Sequence, residues 1–373
     1  MRVVIDTKNF ALYNGGIAHW FAPLLAGWIT NRPDIHFMLL GPPFEMGFLP
    51  RTSNWKPATV TWPTWLPRAF RHPWYDNVIF PREVKRLHPN LVLSPYHDVR
   101  IPKGVTSVIA VHDLCLEEMK DLYPGRIRAY YLAMLRRNLR IATHVMTVSR
   151  TSRDKLVHRY NVLDANITVV YNSVPTHFGQ TVAYKKISAF RQSHSLSGRF
   201  VLYAGGSEYR KNIERLAHAF AILVHRETDL SLLVTGLADQ RWKSVLDLLP
   251  LGISKQIAFA GKLSDDELST AYAATDAVVY PTLCEGFGRV CLEAMMSGAP
   301  LACSDLPVMR EVAGDYPVYF EPLDANSIAE GISKALIKGR QRIITDPRFF
   351  PEFILAAFME KIEETLRGTQ SCK

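Results

Sequence analysis

Short apolar runs of four to six residues recur along the chain, and stretches with apolar positions three or four apart separate many of them. Arg2-Val3-Val4-Ile5-Asp6 and residues 35–41 read as strands, and between them residues 19–28 repeat at helical spacing. Residues 91–94, 107–112, 145–149 and 167–171 read as further strands, with Ser149 or Thr151 as the N-cap of a helix through Leu156. The strand–helix–strand order predicts an α/β sheet. Apolar runs restart at 200–204 and recur at 230–234, 257–260, 277–280 and 300–303, predicting a second parallel sheet covered on both faces. The expected division is a first domain over 1–182, a linker over 183–198, a second domain over 199–348 and a final amphipathic helix within 349–373. Residues 42–80 break the pattern. They are rich in proline and carry Trp55, Trp62, Trp65 and Trp74, so they read as an irregular excursion longer than a routine loop.

A length of 373 residues suits two cores better than one, and 48% apolar content excludes extended disorder. No apolar run approaches eighteen residues and no Lys/Arg-led signal peptide opens the sequence. The five cysteines, Cys115, Cys284, Cys291, Cys303 and Cys372, have no metal-ligand spacing and no disulfide framework, so reduced thiols and a cytoplasmic location are expected. Charge is uneven. Residues 1–197 hold 25 Lys and Arg against 12 Asp and Glu, a net of +13; residues 198–373 hold 19 against 23, a net of −4. A large anionic partner would therefore meet only the first half. Neither a zinc-finger spacing nor an aromatic RNA-binding motif supports nucleic acid, and none is expected. Arg136, Arg137 and Arg140, in a helical tract whose apolar side is Tyr130, Leu135 and Leu139, form either a solvated basic face or one lying on an anionic membrane surface.

The densest chemistry lies at Thr282–Met295. Glu285 follows the 277–280 strand, Gly286-Phe287-Gly288 forms a turn, and Glu293 falls inside a helix candidate, too far from Glu285 to share a proton with it. The two carboxylates read as acceptors for hydroxyls at opposite ends of an elongated ligand, with the glycine turn turning backbone N–H groups toward an anion between them. The plainer reading is a strand–glycine–helix join with two surface glutamates. After the 200–204 strand, Gly205-Gly206-Ser207 precedes Arg210 and Lys211, either a diphosphate-binding turn or a solvated basic one. His112, with Asp113 beside it, ends the 107–112 strand; it is a site candidate or a satisfied structural histidine. Gly15-Gly16 follows the first strand. Gly261-Lys262-Leu263 follows the 257–260 run, and Ser264 with Glu267 forms a capping box.

Glu285-Gly-Phe-Gly, Glu293 and Met296-Ser297-Gly298-Ala299-Pro300 resemble the E-x7-E signature of retaining glycosyltransferases of family 4. The resemblance is strongest over residues 200–322 and continues back to His112 and the N-terminal glycines. It implies a GT-B fold, α/β, with two Rossmann-like domains whose parallel sheets face a central cleft, and a last helix that crosses back to the first domain. It also implies site roles. Arg210 and Lys211 would bind the donor diphosphate, together with Gly205, Gly286, Phe287, Gly288 and the Gly15-Gly16 loop. Some relatives carry an extra arginine immediately after the first glycine of this turn; here that neighbourhood is Gly206-Ser207, so the resemblance gives that work to Arg210 and makes Lys211 the firmer match. Glu293 would hold ribose hydroxyls and Glu285 the sugar, with His112 beside the transferred sugar and Lys262 and Leu263 along the nucleobase. No metal and no cofactor would be needed. The implied activity is transfer of a sugar to a polyprenyl-diphosphate-linked saccharide at the inner face of the plasma membrane, with GDP-mannose as the sugar-nucleotide donor. UDP-glucose or UDP-N-acetylglucosamine as donor, a sugar-nucleotide epimerase, and a non-catalytic nucleotide-sugar- or nucleic-acid-binding protein are the alternatives.

Overall fold

The computed structural model describes residues 1–8, 10, 16–61, 65–120, 124–341 and 346–371. It divides into two compact units, Met1–Ser173 with Pro347–Lys373, and Val174–Asp346.

The first unit is built on a seven-stranded sheet, all parallel, in the order β3-β2-β1-β4-β5-β6-β7. Its strands are β1 (Arg2–Asp6), β2 (His36–Gly41), β3 (Trp55–Thr59), β4 (Leu91–Ser94), β5 (Ser107–Val111), β6 (His144–Thr147) and β7 (Ile167–Val169). Residues in β4, β5 and β6 are buried throughout, as expected of central strands covered on both faces. Around them run α1 (Gly16–Asn31), α2 (Arg68–Trp74), α3 (Phe80–Leu87), α4 (Gly125–Ile141) and α5 (Arg150–Tyr160). Ser149 caps α5 by accepting from the Ser152 amide.

The expected excursion over 42–80 is more regular than its composition implies. It holds β3, α2 and a π-helical turn, Tyr75–Ile79, that runs into α3. β3 escapes pattern reading because it is an edge strand. It carries Pro57 and has no fully buried position, so neither alternation nor β-branched enrichment marks it. Of its tryptophans, Trp62 lies outside the described residues.

The helix Pro351–Ser371 belongs to the first unit. It packs on α1, where the buried Phe358 ring meets Phe21 and Trp28 edge-on at 6.2 and 5.6 Å between centroids. Gly27 permits this approach: a Cβ there would stand 2.5 Å from a Leu355 methyl.

The second unit carries a six-stranded parallel sheet, β10-β9-β8-β11-β12-β13. The strands are β8 (Arg199–Tyr203), β9 (Leu230–Val234), β10 (Ile257–Phe259), β11 (Ala277–Tyr280), β12 (Leu301–Ser304) and β13 (Val318–Phe320). Helices α6 (Tyr184–Ser193), α7 (Ile213–Val224), α8 (Asp265–Ala274), α9 (Arg289–Met296) and α10 (Ala325–Lys338) flank it. Its core joins Val201, Val279 and Ala302 of the sheet to Phe220 of α7 and Ile328 and Ile332 of α10.

The 183–198 stretch is not a linker. Residues 184–193 are helix α6 and pack on α8, with Phe190 buried, Lys186 paired with Asp266, and the Arg191 guanidinium donating to the Ala274 carbonyl. The unit accordingly begins at Val174 instead of 199. Cys291 and Cys303 are free and buried, as expected of thiols; Cys372 lies outside the described residues.

Candidate active site

In an open parallel sheet, ligands sit beyond the strand C-termini where the strand order reverses. In the second unit that point lies between β8 and β11. β8 delivers the Gly205 turn and a 3-10 turn, Tyr209–Lys211; β11 delivers Tyr280, Thr282 and Glu285. The two segments are joined by backbone and side chain. The Leu283 amide donates to the Arg210 carbonyl at 2.7 Å, and Asn212, in left-handed conformation, donates through Nδ2 to the carbonyls of Pro281 (3.0 Å) and Pro322 (2.7 Å).

Glu285 is the hub. Its Oε1 pairs with the Arg210 guanidinium and accepts from Lys211 Nζ at 2.7 Å, the Tyr280 hydroxyl at 2.7 Å and the Thr282 hydroxyl at 3.0 Å. Burial alone would raise this carboxyl. Lys211 and Arg210 outweigh burial, with help from the Lys211 and Tyr280 hydrogen bonds, and hold it at about 2. Burial drives the Tyr280 phenol far upward, so it remains a donor. The result is a mostly buried carboxylate with two cations fixed on one of its oxygens. A ligand could use Oε2 as an acceptor and the cations as donors.

Glu293 occupies a separate environment one face of α9 away. It is 5% exposed, accepts from the Tyr272 hydroxyl at 2.7 Å and pairs with Arg289 at 3.1 Å; burial raises its pKa against these two partners. Gly288 caps α9 with φ +98, and a Cβ there would meet Met309 Sδ at 2.7 Å, so both its backbone and its neighbour demand glycine. Gly286 and buried Phe287 complete the turn before α9. Gly205 has a packing reason: a Cβ would stand 2.6 Å from the Tyr203 ring, whose hydroxyl donates to the Gly206 carbonyl. Lys262 and Leu263 lie two strands from β8, beyond the edge strand β10. There Gly236 and Gly261 form a bridge, and the Ser264–Glu267 capping box starts α8.

In the first unit, His112 directly follows β5. Its Nε2 is 2.8 Å from the Pro95 carbonyl, which can only accept, so Nε2 carries the proton and Nδ1 is the acceptor in the neutral ring. Burial lowers its pKa and favours that neutral form. Trp20 packs edge-on against the ring at 4.8 Å, and Tyr96 stacks at 6.2 Å. Asp113 accepts from the Cys115 amide at the first position of a short helix. Gly16 opens α1 with nothing within 4 Å of a Cβ, and Gly15 lies outside the described residues.

Sequence reading missed a buried charge cluster at the C-terminal ends of β1 and β4. Lys8, fully buried, pairs with Asp76 and with Asp98 at 2.6 Å, while Asp6 accepts from Ser94 at 3.0 Å and lies 3.0 Å from the Tyr75 hydroxyl. Burial raises Asp6 to about 6 and pushes Asp76 upward as well. No motif announces this cluster, because its members come from three distant segments, residues 6–8, 75–76 and 94–98.

Two family descriptions match the chain: Glycosyltransferase Family 4 over residues 14–178, and Glycosyl transferases group 1 over residues 185–345. The chain belongs to the glycosyltransferases. It is 30% identical over 246 residues to the O-antigen chain mannosyltransferase RfbU of Salmonella typhimurium, covering 65% of this chain and 64% of that protein. It is 26% identical over 251 residues to O-antigen chain mannosyltransferase B of Escherichia coli, covering 67% of this chain and 65% of that one. The chain thus spans somewhat less than two thirds of these relatives' length. Anabaena HepE, solved with UDP and glucose, superposes with a TM-score of 0.73 at 18% identity, over 98% of this chain and 100% of that one. WaaG, a glycosyltransferase of lipopolysaccharide biosynthesis, superposes with a TM-score of 0.70 at 18% identity, over 100% and 95%. With both sheets parallel, the fold is GT-B.

Among the described residues, no His, Cys, Asp and Glu cluster is placed to hold a metal ion, and no helix is long and apolar enough to cross a membrane.

Proposed function

We propose that this glycosyltransferase moves mannose from GDP-mannose onto a polyprenyl-diphosphate-linked saccharide with retention of configuration. The observation that carries the reading is the Arg210–Lys211–Glu285 cluster at the switch point of the second sheet. When the bond from the sugar's anomeric carbon to the diphosphate breaks, negative charge grows on the departing GDP. Fixed cations aimed at such charge are among the strongest catalytic devices available to a protein. Lys211 and Arg210 fill that role, Glu285 accepts from sugar hydroxyls, and Glu293 accepts from the ribose. Nδ1 of His112 accepts from a hydroxyl of the transferred sugar. None of these assignments calls for a metal or cofactor.

Mannose as the sugar is supported by the names of RfbU and mannosyltransferase B. A second reading, a UDP-glucose donor, is favoured by the UDP and glucose bound to HepE. Radiolabelled GDP-mannose and UDP-glucose, each incubated with the enzyme and a membrane lipid extract, separate the two. Label from GDP-mannose in the lipid fraction supports the proposal. Label from UDP-glucose alone replaces it with the second reading, and isomerised donor or binding without turnover removes it.

The lipid-borne acceptor motivates a peripheral location on the inner membrane face. Arg136 and Arg140 are exposed on α4 and would meet anionic lipid; Arg137 would not, since it is occupied by the Ile101 carbonyl and Asn138 Oδ1. Flotation with phosphatidylglycerol vesicles should fall as salt rises, and a salt-independent result removes the electrostatic contact.

A further inference from the structure

A cavity of about 800 Å³ lies at the N-terminal edge of the first unit's sheet. Its walls come from the starts of β1, β2 and β3 and from the end of α3. All of its charged or titratable side chains are basic: Arg2, His36, Lys56, Arg86 and His88, with no carboxylate. The register explains how they gather. Arg2 pairs with His36, and Met38, two residues on and so on the same face, pairs with Lys56. α3 then brings Arg86 and His88 to the same space, His88 in left-handed conformation.

The fold leaves most of this charge unmet. The Lys56, His36 and His88 side chains take no hydrogen bond or ion pair among the described residues. Arg2 is steadied by donating to the Leu87 carbonyl, a neutral acceptor. Arg86 alone has an acid, Glu83, and the neighbouring Asp34 is engaged by Arg32. Like charges gathered without acids repel one another, and a concave cationic wall concentrates anions. The volume is that of a small-molecule site, not of a stripe that follows a polymer.

We propose that this cavity is a second anion site that binds a phosphate- or diphosphate-bearing ligand. It is distinct from the donor cluster of the second unit. It is also separated from Asp6 and Lys8, at the other end of β1, by the length of a five-residue strand, on the order of 17 Å. Lysine and arginine supply N–H donors and no acceptor, and each imidazole adds an N–H donor, a set that suits a phosphoryl group. Such a ligand would be sensed at a distance from the chemistry.

The test uses the full-length enzyme with its histidines ring-labelled, and signals assigned by His36→Gln and His88→Gln. Inorganic pyrophosphate is titrated with GDP already saturating the donor site. Saturable shifts of the His36 and His88 signals are expected. Arg2→Gln with Lys56→Gln should weaken them at least about tenfold, the loss of one to two charge-assisted bonds. Arg136→Gln with Arg140→Gln removes the same charge elsewhere on the unit and should leave them unchanged. Lys56→Gln alone, which breaks no contact of the fold, serves if the double variant does not fold. Absent shifts, or equal weakening by both pairs of substitutions, overturn the site. Vesicles with and without phosphatidylglycerol identify the source of the phosphoryl group. Vesicle-induced shifts that pyrophosphate displaces indicate a lipid headgroup, and pyrophosphate binding without vesicle binding indicates a soluble ligand. Vesicle-induced shifts that pyrophosphate cannot displace overturn the proposal.

Discussion

At the scale of single residues, the site is organised around where one carboxylate's charge is spent. Lys211 is 9% exposed and holds Glu285, yet Arg210, Tyr280 and Thr282 reach the same oxygen, so Glu285 keeps partners when Lys211 is removed. Lys211→Ala should therefore fold while losing transition-state stabilisation, with kcat/KM falling on the order of 10²-fold. A folded variant with wild-type kcat/KM would show that the lysine is structural. The same network has a pH signature. A Glu285 pKa lowered from 4.5 to about 2 means that the folded state binds fewer protons here than the unfolded state. The contribution, about 3 kcal/mol, is complete above pH 4.5 and is lost as pH falls toward about 2. Urea unfolding of Glu285→Gln should lack that part of the acid slope; an identical slope in both proteins contradicts the shift. Part of this site was legible in the residues themselves. Arg210, Lys211 and Glu285 stood out as cations after a glycine turn and a carboxylate before one. Tyr280 and Thr282 did not, because a tyrosine ending an apolar strand reads as core until the fold turns its hydroxyl toward an acid.

At the scale of elements, legibility followed burial. β1, β4, β9 and β11 have the bounds their apolar runs predict, since each is a central or next-to-central strand covered on both faces. The strands that pattern reading missed are the edges β3 and β13, five and three residues long, where burial is incomplete and periodicity has little length in which to appear. Helix α6 was read as a linker because its polar surface and the serines after it dominate the local composition, while a single buried phenylalanine, the Lys186–Asp266 pair and the Arg191 hydrogen bond hold it to the unit. The terminal helix was legible as an element, but its docking depends on a residue that no pattern singles out. Gly27→Val would place its Cβ 2.5 Å from a methyl of the Leu355 side chain, which must shift to admit it. Overpacking of this kind costs about 1–3 kcal/mol, and the strain falls on the contact between α1 and the helix Pro351–Ser371. Amide exchange across that helix should accelerate, and adding Leu355→Ala should restore much of the protection. Unchanged exchange in Gly27→Val would show that the two helices have room to spare.

At the scale of the whole molecule, the division of labour follows from two sheets of the same design. Each reverses its strand order once, β1 against β4 and β8 against β11, and each places its unusual polar residues beyond the strand C-termini there. The second unit holds the cations proposed for the diphosphate, while the first holds His112, steadied by Pro95 and Trp20. If the nucleotide is bound by the second unit and the histidine acts on the sugar, the two functions should separate under mutation. His112→Ala should leave the affinity for GDP within about threefold of wild type, because GDP carries no sugar beyond its ribose for the imidazole to meet. Transfer should slow by about 10²-fold, the range expected when an oriented hydrogen-bonding group is lost at the reacting centre. Burial lowers the His112 pKa, which favours the neutral ring and confines its protonation to the acid side of the ordinary imidazole range. Wild-type turnover should accordingly decline on that acid side, whereas His112→Gln, which cannot gain a proton, should lose the decline along with most of the rate. Calorimetry with GDP beside initial rates with the full donor decides the matter. Equal loss of GDP binding and turnover would place His112 in the nucleotide site, and an unaltered acid limb in His112→Gln would assign that titration to another group.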